Sequence, residues 1–447
     1  MIIEKLNQLI GICLPVVLIS AGFYFCIRLR FFWLLHPVKM IKSMFGKHIS
    51  SGISPFRAVT VALAGTLGVG NIVGVAGAIA FGGFGAVFWM WISAIFAMIL
   101  KYAEIALAVS HRRSRKDGSF YGGAVHYIRD FFAGKSLDRF GAVTAFLFSL
   151  LLLLDSFTTG CIVQINAAAR SAQDVCGIPT VVVGIVAAVI TVSVVITGAK
   201  SVSKLTNWLI PSLSIAYILL SLAVIIIRLE DLPDAFSQIF KDAFNISSAT
   251  GGLMGFLSSR ALRFGTMRGL LSNEAGCGTA PIAHAAAESK SPAEQGFWGI
   301  FEVFVDTILL CTLTALVIIL NYESVSDLGN DGILMAISAY SATLGKWSEY
   351  LLAGSISVFG IATVLCWAHY GIECIQYLFK RHKRAASFIY LIIYAGVTVF
   401  GASILPNSVW GASDLAIGGL TLINITILLL MRKEVKKLTD DFFDPLL

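Results

Sequence analysis

Two glycines and an asparagine, Gly68-Val69-Gly70-Asn71, stand in the middle of an apolar run, Val59 to Phe81. That run is otherwise suited to crossing a bilayer as a helix of about 20 residues. Glycine weakens a helix and asparagine is costly in lipid, so their concentration at mid-span calls for a reason. One reading is close helix packing, with Gly70, Gly74 and Ala78 along one seam. It leaves out Gly68, which points to roughly the opposite side from Gly70. The other reading is a deliberate break in the helix. Its freed N–H and C=O groups would be met by an ion, water or ligand, the only setting in which a membrane tolerates them.

A second stretch, Leu271-Ser272-Asn273-Glu274-Ala275-Gly276-Cys277-Gly278-Thr279-Ala280-Pro281, favours the break. Placing Gly276 on Gly68 sets Cys277 on Val69, Gly278 on Gly70 and Thr279 on Asn71. Paired Gly-interrupted spans in two halves of a chain point to a transporter's binding site. A nucleotide loop is excluded, because no strand–helix alternation surrounds either copy. If backbone must approach a ligand at these points, a methyl at Gly70 or Gly278 is expected to abolish transport while sparing the fold.

Other polar residues fall at mid-span. Lys101 and Glu104, three apart, are expected to pair with each other. Asp155 and Gln164 are nine apart and share no simple helix face; Gln164 would offer an amide to a ligand. His284 reads as a satisfied interior histidine. Glu302 and Asp306 are four apart on one face and would hold a cation or share a proton. Thr363 and Trp367 likewise share a face.

The elements that must position these residues are membrane helices. Of 447 residues, 57% are hydrophobic and 13% charged, about half the charge of a soluble chain. Eleven spans are expected: A 8–29, B 55–81, C 84–109, D 140–168, E 179–198, F 205–228, G 266–288, H 296–320, I 350–379, J 386–405 and K 412–431. Of the 33 Lys and Arg, 24 flank one side, which the positive-inside rule makes cytoplasmic, in the plasma (inner) membrane. The amino terminus is then outside and the carboxyl terminus inside. Asp242 to Ala261 and Gly332 to Leu344 read as external helices, and the segment after K, with Asp440-Asp441, as a solvated tail. The net charge of +7 reflects these flanks, not a nucleic-acid surface. Eight cysteines without a CxxC pair imply neither a disulfide framework nor a metal centre. No cofactor or oligomeric state is implied, and a monomer suffices. Clustered, asymmetric polar residues argue against a channel. The absence of HExxH or a Ser/His pairing argues against an enzyme.

Gly68-Val69-Gly70-Asn71-Ile72, Gly82-Gly83-Phe84-Gly85-Ala86-Val87-Phe88-Trp89-Met90-Trp91, Ser272-Asn273-Glu274-Ala275-Gly276 and Val305-Asp306-Thr307 resemble the alanine or glycine:cation symporter family along nearly the whole chain. The resemblance implies an all-α polytopic membrane protein of the leucine-transporter fold, with two inverted five-helix repeats whose first and sixth core helices are broken. Residues 55–228 would be the first repeat, 266–431 the second, 8–29 an extra leading helix and 432–447 a tail. It implies symport of a small neutral amino acid with Na⁺. The substrate carboxylate would meet the N–H groups of Gly68, Val69 and Gly70. Asn273 and the carbonyls of Gly276, Cys277, Gly278 and Thr279 would receive the ammonium, with Gln164 beside the substrate and Trp367 flooring the pocket. One sodium would lie on Ala64, Leu67 and Thr363, and a second near Thr66 and Asn71. The chain departs from the family pattern at Val69, Phe84, Cys161, Cys277, Ala362 and His369. The hydroxyl missing at Ala362 removes one sodium ligand, and proton coupling through Asp155, Glu302 or Asp306 is the rival to sodium.

Overall fold

The computed structural model describes residues 2–46, 52–244, 259–328, 331–404 and 407–443. Each expected span is filled by a helix or a broken pair. Among the described residues, eight helices are long and apolar enough to cross a membrane alone, and nine spans result if the bent pair Pro55–Thr66 and Val69–Gly82 is counted as one. The two remaining expected spans fall short for plain reasons. Span E is only the helix Thr180–Val195, and span G is split into Arg260–Asn273 and Pro281–Ala285.

Span B begins where Ser54 caps the helix by accepting from Arg57 N, with Pro55 supplying the fixed first-turn geometry. It stops at Thr66, and the chain bends by 62° before resuming as Val73–Gly82. Span C, Gly85–Ser110, is the most enclosed of the long helices. It packs along G and H, while I packs along D. Spans E, F and J turn Val189, Leu219 and Ile392 outward, the faces expected to meet lipid.

Spans D and H are not uniform α-helices. Each contains a widened, π-helical stretch, Thr158–Val163 in D and Phe304–Cys311 in H. The stretch in H lies against the break in B, and Gln164, just past the stretch in D, reaches the same break.

A helix is present at Gly332–Leu344, as expected. Asp331 caps it by accepting from Ile333 N and Leu334 N, and pairs at 2.6 Å with Arg170 at the end of D. The segment expected at Asp242–Ala261 lies mostly outside the described residues. Beyond K, the chain forms a docked helix, Arg432–Phe443, in place of the solvated tail expected. Its Thr439 hydroxyl is 2.8 Å from Tyr102 Oη, and Phe442 and Phe443 pack on Phe297 and Phe32. Spacing along the tail, with Val435 and Thr439 on one face, is what makes it amphipathic.

Candidate functional site

At the break in B, the carbonyls that the helix no longer uses are met by span I. Thr363 Oγ1 donates to Ala64 O at 2.9 Å, and Trp367 Nε1 donates to Gly65 O at 3.2 Å. Thr363 and Trp367 therefore do share a face, and both are fully buried. Leu67 closes the last turn, its N–H donating to Leu63 O. Gln164 Oε1 accepts from Val69 N at 2.9 Å, so a neutral amide oxygen occupies one of the N–H groups assigned to a carboxylate.

Asn71 reaches the other way. Its Nδ2 donates to Asp306 Oδ1 at 2.7 Å and to Ser272 Oγ at 2.9 Å, and its Oδ1 has no partner among the described residues. Ser272 Oγ donates to Asp306 Oδ2 at 2.7 Å, and Thr307 Oγ1 donates to the same oxygen at 2.8 Å. Asp306 is thus a buried carboxylate held by neutral donors only. A cavity of about 10 Å³ lies on the other side of Asn71, between Leu67, Gly68, Tyr217 and Phe359, and Asp306 does not line it.

The break in G is built differently. Glu274, Gly276 and Gly278 all take positive φ, at 50°, 80° and 78°, so the chain turns through left-handed residues that favour glycine. Asn273 Nδ2 donates to Thr307 Oγ1, while its Oδ1 accepts from Ala275 N. Gly276 O accepts from Asn424 Nδ2, and Gly278 N donates to Glu104 Oε2. Cys277 Sγ and Thr279 Oγ1 are engaged by Thr421 and Glu274. Gly276, Cys277 and Gly278 therefore face C and K, Thr279 folds back on Glu274 of the same break, and B touches G one turn earlier, where Gly70 approaches Ser272.

Two sequence expectations change here. Lys101 does not pair with Glu104: its Nζ is 3.0 Å from Glu302 Oε1 and donates to Asn273 O at 2.8 Å. Glu104 turns instead to Asn424 and Gly278. Glu302 and Asp306 separate as well. Glu302 faces Lys101, His284 and Thr66, whereas Asp306 faces Asn71, because the π-helical stretch between them shifts the faces. Thr66 also bonds back to Ala62 O in its own helix. His284 is satisfied between Glu302 and Gln295, as expected.

A model of the sodium:alanine symporter family matches residues 1–446. The chain belongs to that family. It is 32% identical over 450 residues to the sodium/alanine symporter AgcS of Methanococcus maripaludis, covering 99% of this chain and 96% of the relative. It is 35% identical over 436 residues to the uncharacterized transporter YflA of Bacillus subtilis, covering 96% and 90%. A probable sodium/glutamine symporter, GlnT, of the same organism matches at 32% over 434 residues, covering 96% and 87%. Among solved structures, MhsT in complex with L-phenylalanine aligns with a TM-score of 0.53 at 14% identity, covering 86% of this chain and 90% of that one. The fold is that of the leucine-type transporters, and the protein is a transporter and not an enzyme.

In this symporter-family chain, a cavity of about 890 Å³ opens on the face carrying most of the basic residues and reaches Gly278 and Ile282. A second, of about 810 Å³, lies across the short hairpin Arg113–Ser114/Phe120–Tyr121, with Lys200 and Glu288 in its wall. Arg115 of that hairpin pairs with Glu373 of span I at 2.6 Å. Sequence reasoning missed Asn424 and Thr421 in K and Tyr127 before D. The signal available was an amide and a hydroxyl in an apolar span, Thr421-Leu422-Ile423-Asn424.

Proposed function

We propose that the chain carries a small neutral amino acid of the alanine or glycine type into the cell together with Na⁺, by alternating access across the plasma membrane. The observation that carries this is the break in B. One side presents the Val69 N–H, held by an amide oxygen in the position a carboxylate oxygen would take. The other presents the Ala64 carbonyl against the Thr363 hydroxyl, an oxygen pair suited to Na⁺. A zwitterion and a cation then bind without a buried fixed charge being brought to either, which a membrane interior favours.

Sodium would displace the Thr363 proton from Ala64 O and bridge B to I, with Leu67 O as a further donor. A second sodium would use Asn71 Oδ1 and the carboxylate of Asp306 near Thr66, a reading supported by the Oδ1 that has no partner among the described residues. Glu302 is withdrawn from the coupling set, because Lys101 and His284 already engage it. Residues 55–228 and 266–431 would be the inverted repeats, with 8–29 as the leading helix and 432–447 at the carboxyl end. The basic face would be cytoplasmic. A glutamine-type substrate is the second reading, supported by the likeness to the probable sodium/glutamine symporter at 32% identity.

Purified protein in liposomes, loaded against labelled L-alanine with each of the twenty amino acids as competitor, tests this. Uptake should vanish without Na⁺ and survive a collapsed pH gradient. Uptake that follows the pH gradient and ignores Na⁺ would overturn the sodium assignment.

A further inference from the structure

Asp155 lies in span D, fully buried, and no ion pair reaches it among the described residues. Its Oδ1 accepts from Thr159 Oγ1 at 2.5 Å and from Thr158 Oγ1 at 3.3 Å. Its Oδ2 has no hydrogen-bond partner among the described residues. A carboxylate half-satisfied by hydroxyls in a membrane interior is a costly anion. Two hydroxyls are far fewer ligands than a metal ion would want. A proton needs neither space nor extra ligands.

The surroundings tie this carboxyl to the candidate substrate site. Thr159 donates its hydroxyl to Asp155, and its backbone carbonyl accepts from Gln164 Nε2 at 3.2 Å. Gln164 in turn holds Val69 N through Oε1. In a regular α-helix, residues nine apart lie on opposite sides. Here the step from Asp155 to Thr159 is an α-turn of four, and the step from Thr159 to Gln164 is a π-turn of five. The widened stretch is what aligns all three. Ser413 Oγ of span K, 2.6 Å from Thr159 Oγ1, completes the hydroxyl pair.

We infer that Asp155 is a proton-binding site linked to amino-acid binding through Thr159 and Gln164. This rests on the symport reading above. A bound amino acid would bring its carboxylate to the Val69 N–H and displace the Gln164 oxygen. That places a negative charge one side chain from Asp155, and so favours its protonated form. A proton is taken from water onto the carboxylate when substrate binds, and returned when substrate leaves. Because the linkage is reciprocal, the amino acid binds more tightly at low pH.

Other titratable groups border this stretch. Glu274 of G is within electrostatic reach. Asp414 of K, next to Ser413, faces Arg268 at 3.5 Å. Tyr390 of J bonds to the neighbouring Ser156. From I come Cys366 and Tyr370, and from the helix before D comes Tyr127, which bonds to Asn424.

The test is calorimetric binding of L-alanine, glycine and L-glutamine in saturating Na⁺, in two buffers of different ionisation enthalpy, across pH. Wild type should take up as much as one proton per amino acid bound, with affinity falling as pH rises. Asp155→Asn should bind at the low-pH affinity at every pH, with no proton taken up. Thr159→Val keeps the carbonyl for Gln164 but removes the hydroxyl from the carboxylate. It should move the pH midpoint upward, and serves if the asparagine variant does not fold. A pH slope and proton count unchanged in Asp155→Asn, or unmoved in Thr159→Val, overturn the inference. So does a variant that loses a sodium ion per cycle with no pH term. If wild type binds none of the three amino acids in Na⁺, the symport reading itself fails and this inference falls with it.

Discussion

Thr363 carries a single oxygen whose removal separates two accounts of the B–I contact. Its hydroxyl bonds to Ala64 O and to Phe359 O, and neighbouring Ala362 offers no replacement. Thr363→Ala is expected to raise the sodium concentration needed for half-maximal amino-acid binding, with affinity approaching wild type at saturating sodium. Thr363→Ser keeps the oxygen and should be nearly silent. Binding titrated against sodium for the three proteins decides it, and an unmoved curve would put the cation at Asn71 and Asp306 instead. The glycines diverge where the sequence treated them alike. A Cβ at Gly70 would meet nothing closer than Ser272 Cα at 3.5 Å, so Gly70→Ala should fold normally and lose amino-acid affinity. Gly278 has φ of 78°, and a Cβ there would lie 2.7 Å from Phe148 Cζ and 2.9 Å from Ala124 Cβ. Gly278→Ala should cost about 2 kcal/mol or more of stability from strain and overpacking. Thermal unfolding in detergent should show a drop for the second variant and little for the first. Gly74 would meet nothing within 4 Å, which counts against the close-packed seam.

At the scale of elements, the interruptions in B and G were legible because glycine and asparagine are costly where they stand. The widened stretches of D and H were not. Thr158–Val163 and Phe304–Cys311 carry no residue types that distinguish a π-turn from an α-turn, yet they decide which faces Gln164 and Asp306 present. The partner of Lys101 was likewise hidden, since spacing along one helix favours Glu104 and only tertiary packing delivers Glu302. The tail helix shows the same limit and gives a pH prediction. His111 lies between Asp130 Oδ2 at 3.0 Å and Glu434 Oε1 at 2.9 Å. Burial alone would lower its pKa, but the bonds to Glu434 and Asp130 outweigh this and raise it above the usual 6.5. Glu434 is lowered by its bond to His111. The imidazolium's contribution is therefore full below the ordinary histidine value and is lost as pH rises through the raised one. The carboxylate's contribution is present above its ordinary value and is lost in acid. Docking of Arg432–Phe443 should loosen on the alkaline side, by up to about 1 kcal/mol for so exposed a pair. Hydrogen exchange of the tail amides across pH reads this, and His111→Ala should abolish the alkaline step.

At the scale of the whole molecule, a large cavity opens on one face and an ion pair joins two helices toward the other. The cavity of about 890 Å³ reaches Ile282 from the basic face, while on the opposite side Arg170 and Asp331 join span D to the cap helix Gly332–Leu344 at 2.6 Å. If the basic face is cytoplasmic, a cysteine at Ser326 is labelled by an impermeant reagent from outside, and one at Ser114 is not. Reversed labelling would invert the proposed direction of transport. The Arg170–Asp331 pair then makes a quantitative prediction. Arg170 and Asp331 are each about a quarter exposed, so their pair is worth about 1 kcal/mol or less. If this pair forms when the face away from the basic residues shuts, removing it shifts the balance toward the outward-open arrangement by about fivefold at most. Ile282, only 6% exposed, is reached through the inner cavity. With Cys13 and Cys176, the exposed native cysteines, replaced, Ile282→Cys should be modified more slowly once Arg170→Ala is added. Sodium, bridging B and I in the outward state, should slow it further, because a ligand shifts an equilibrium only through differential affinity. The apparent sodium affinity of Arg170→Ala should rise by no more than the same factor, since the fraction of binding-competent protein is all that has changed. An Ile282→Cys labelling rate indifferent to both Arg170→Ala and sodium would mean that the Arg170–Asp331 pair fastens a loop and does not close the path.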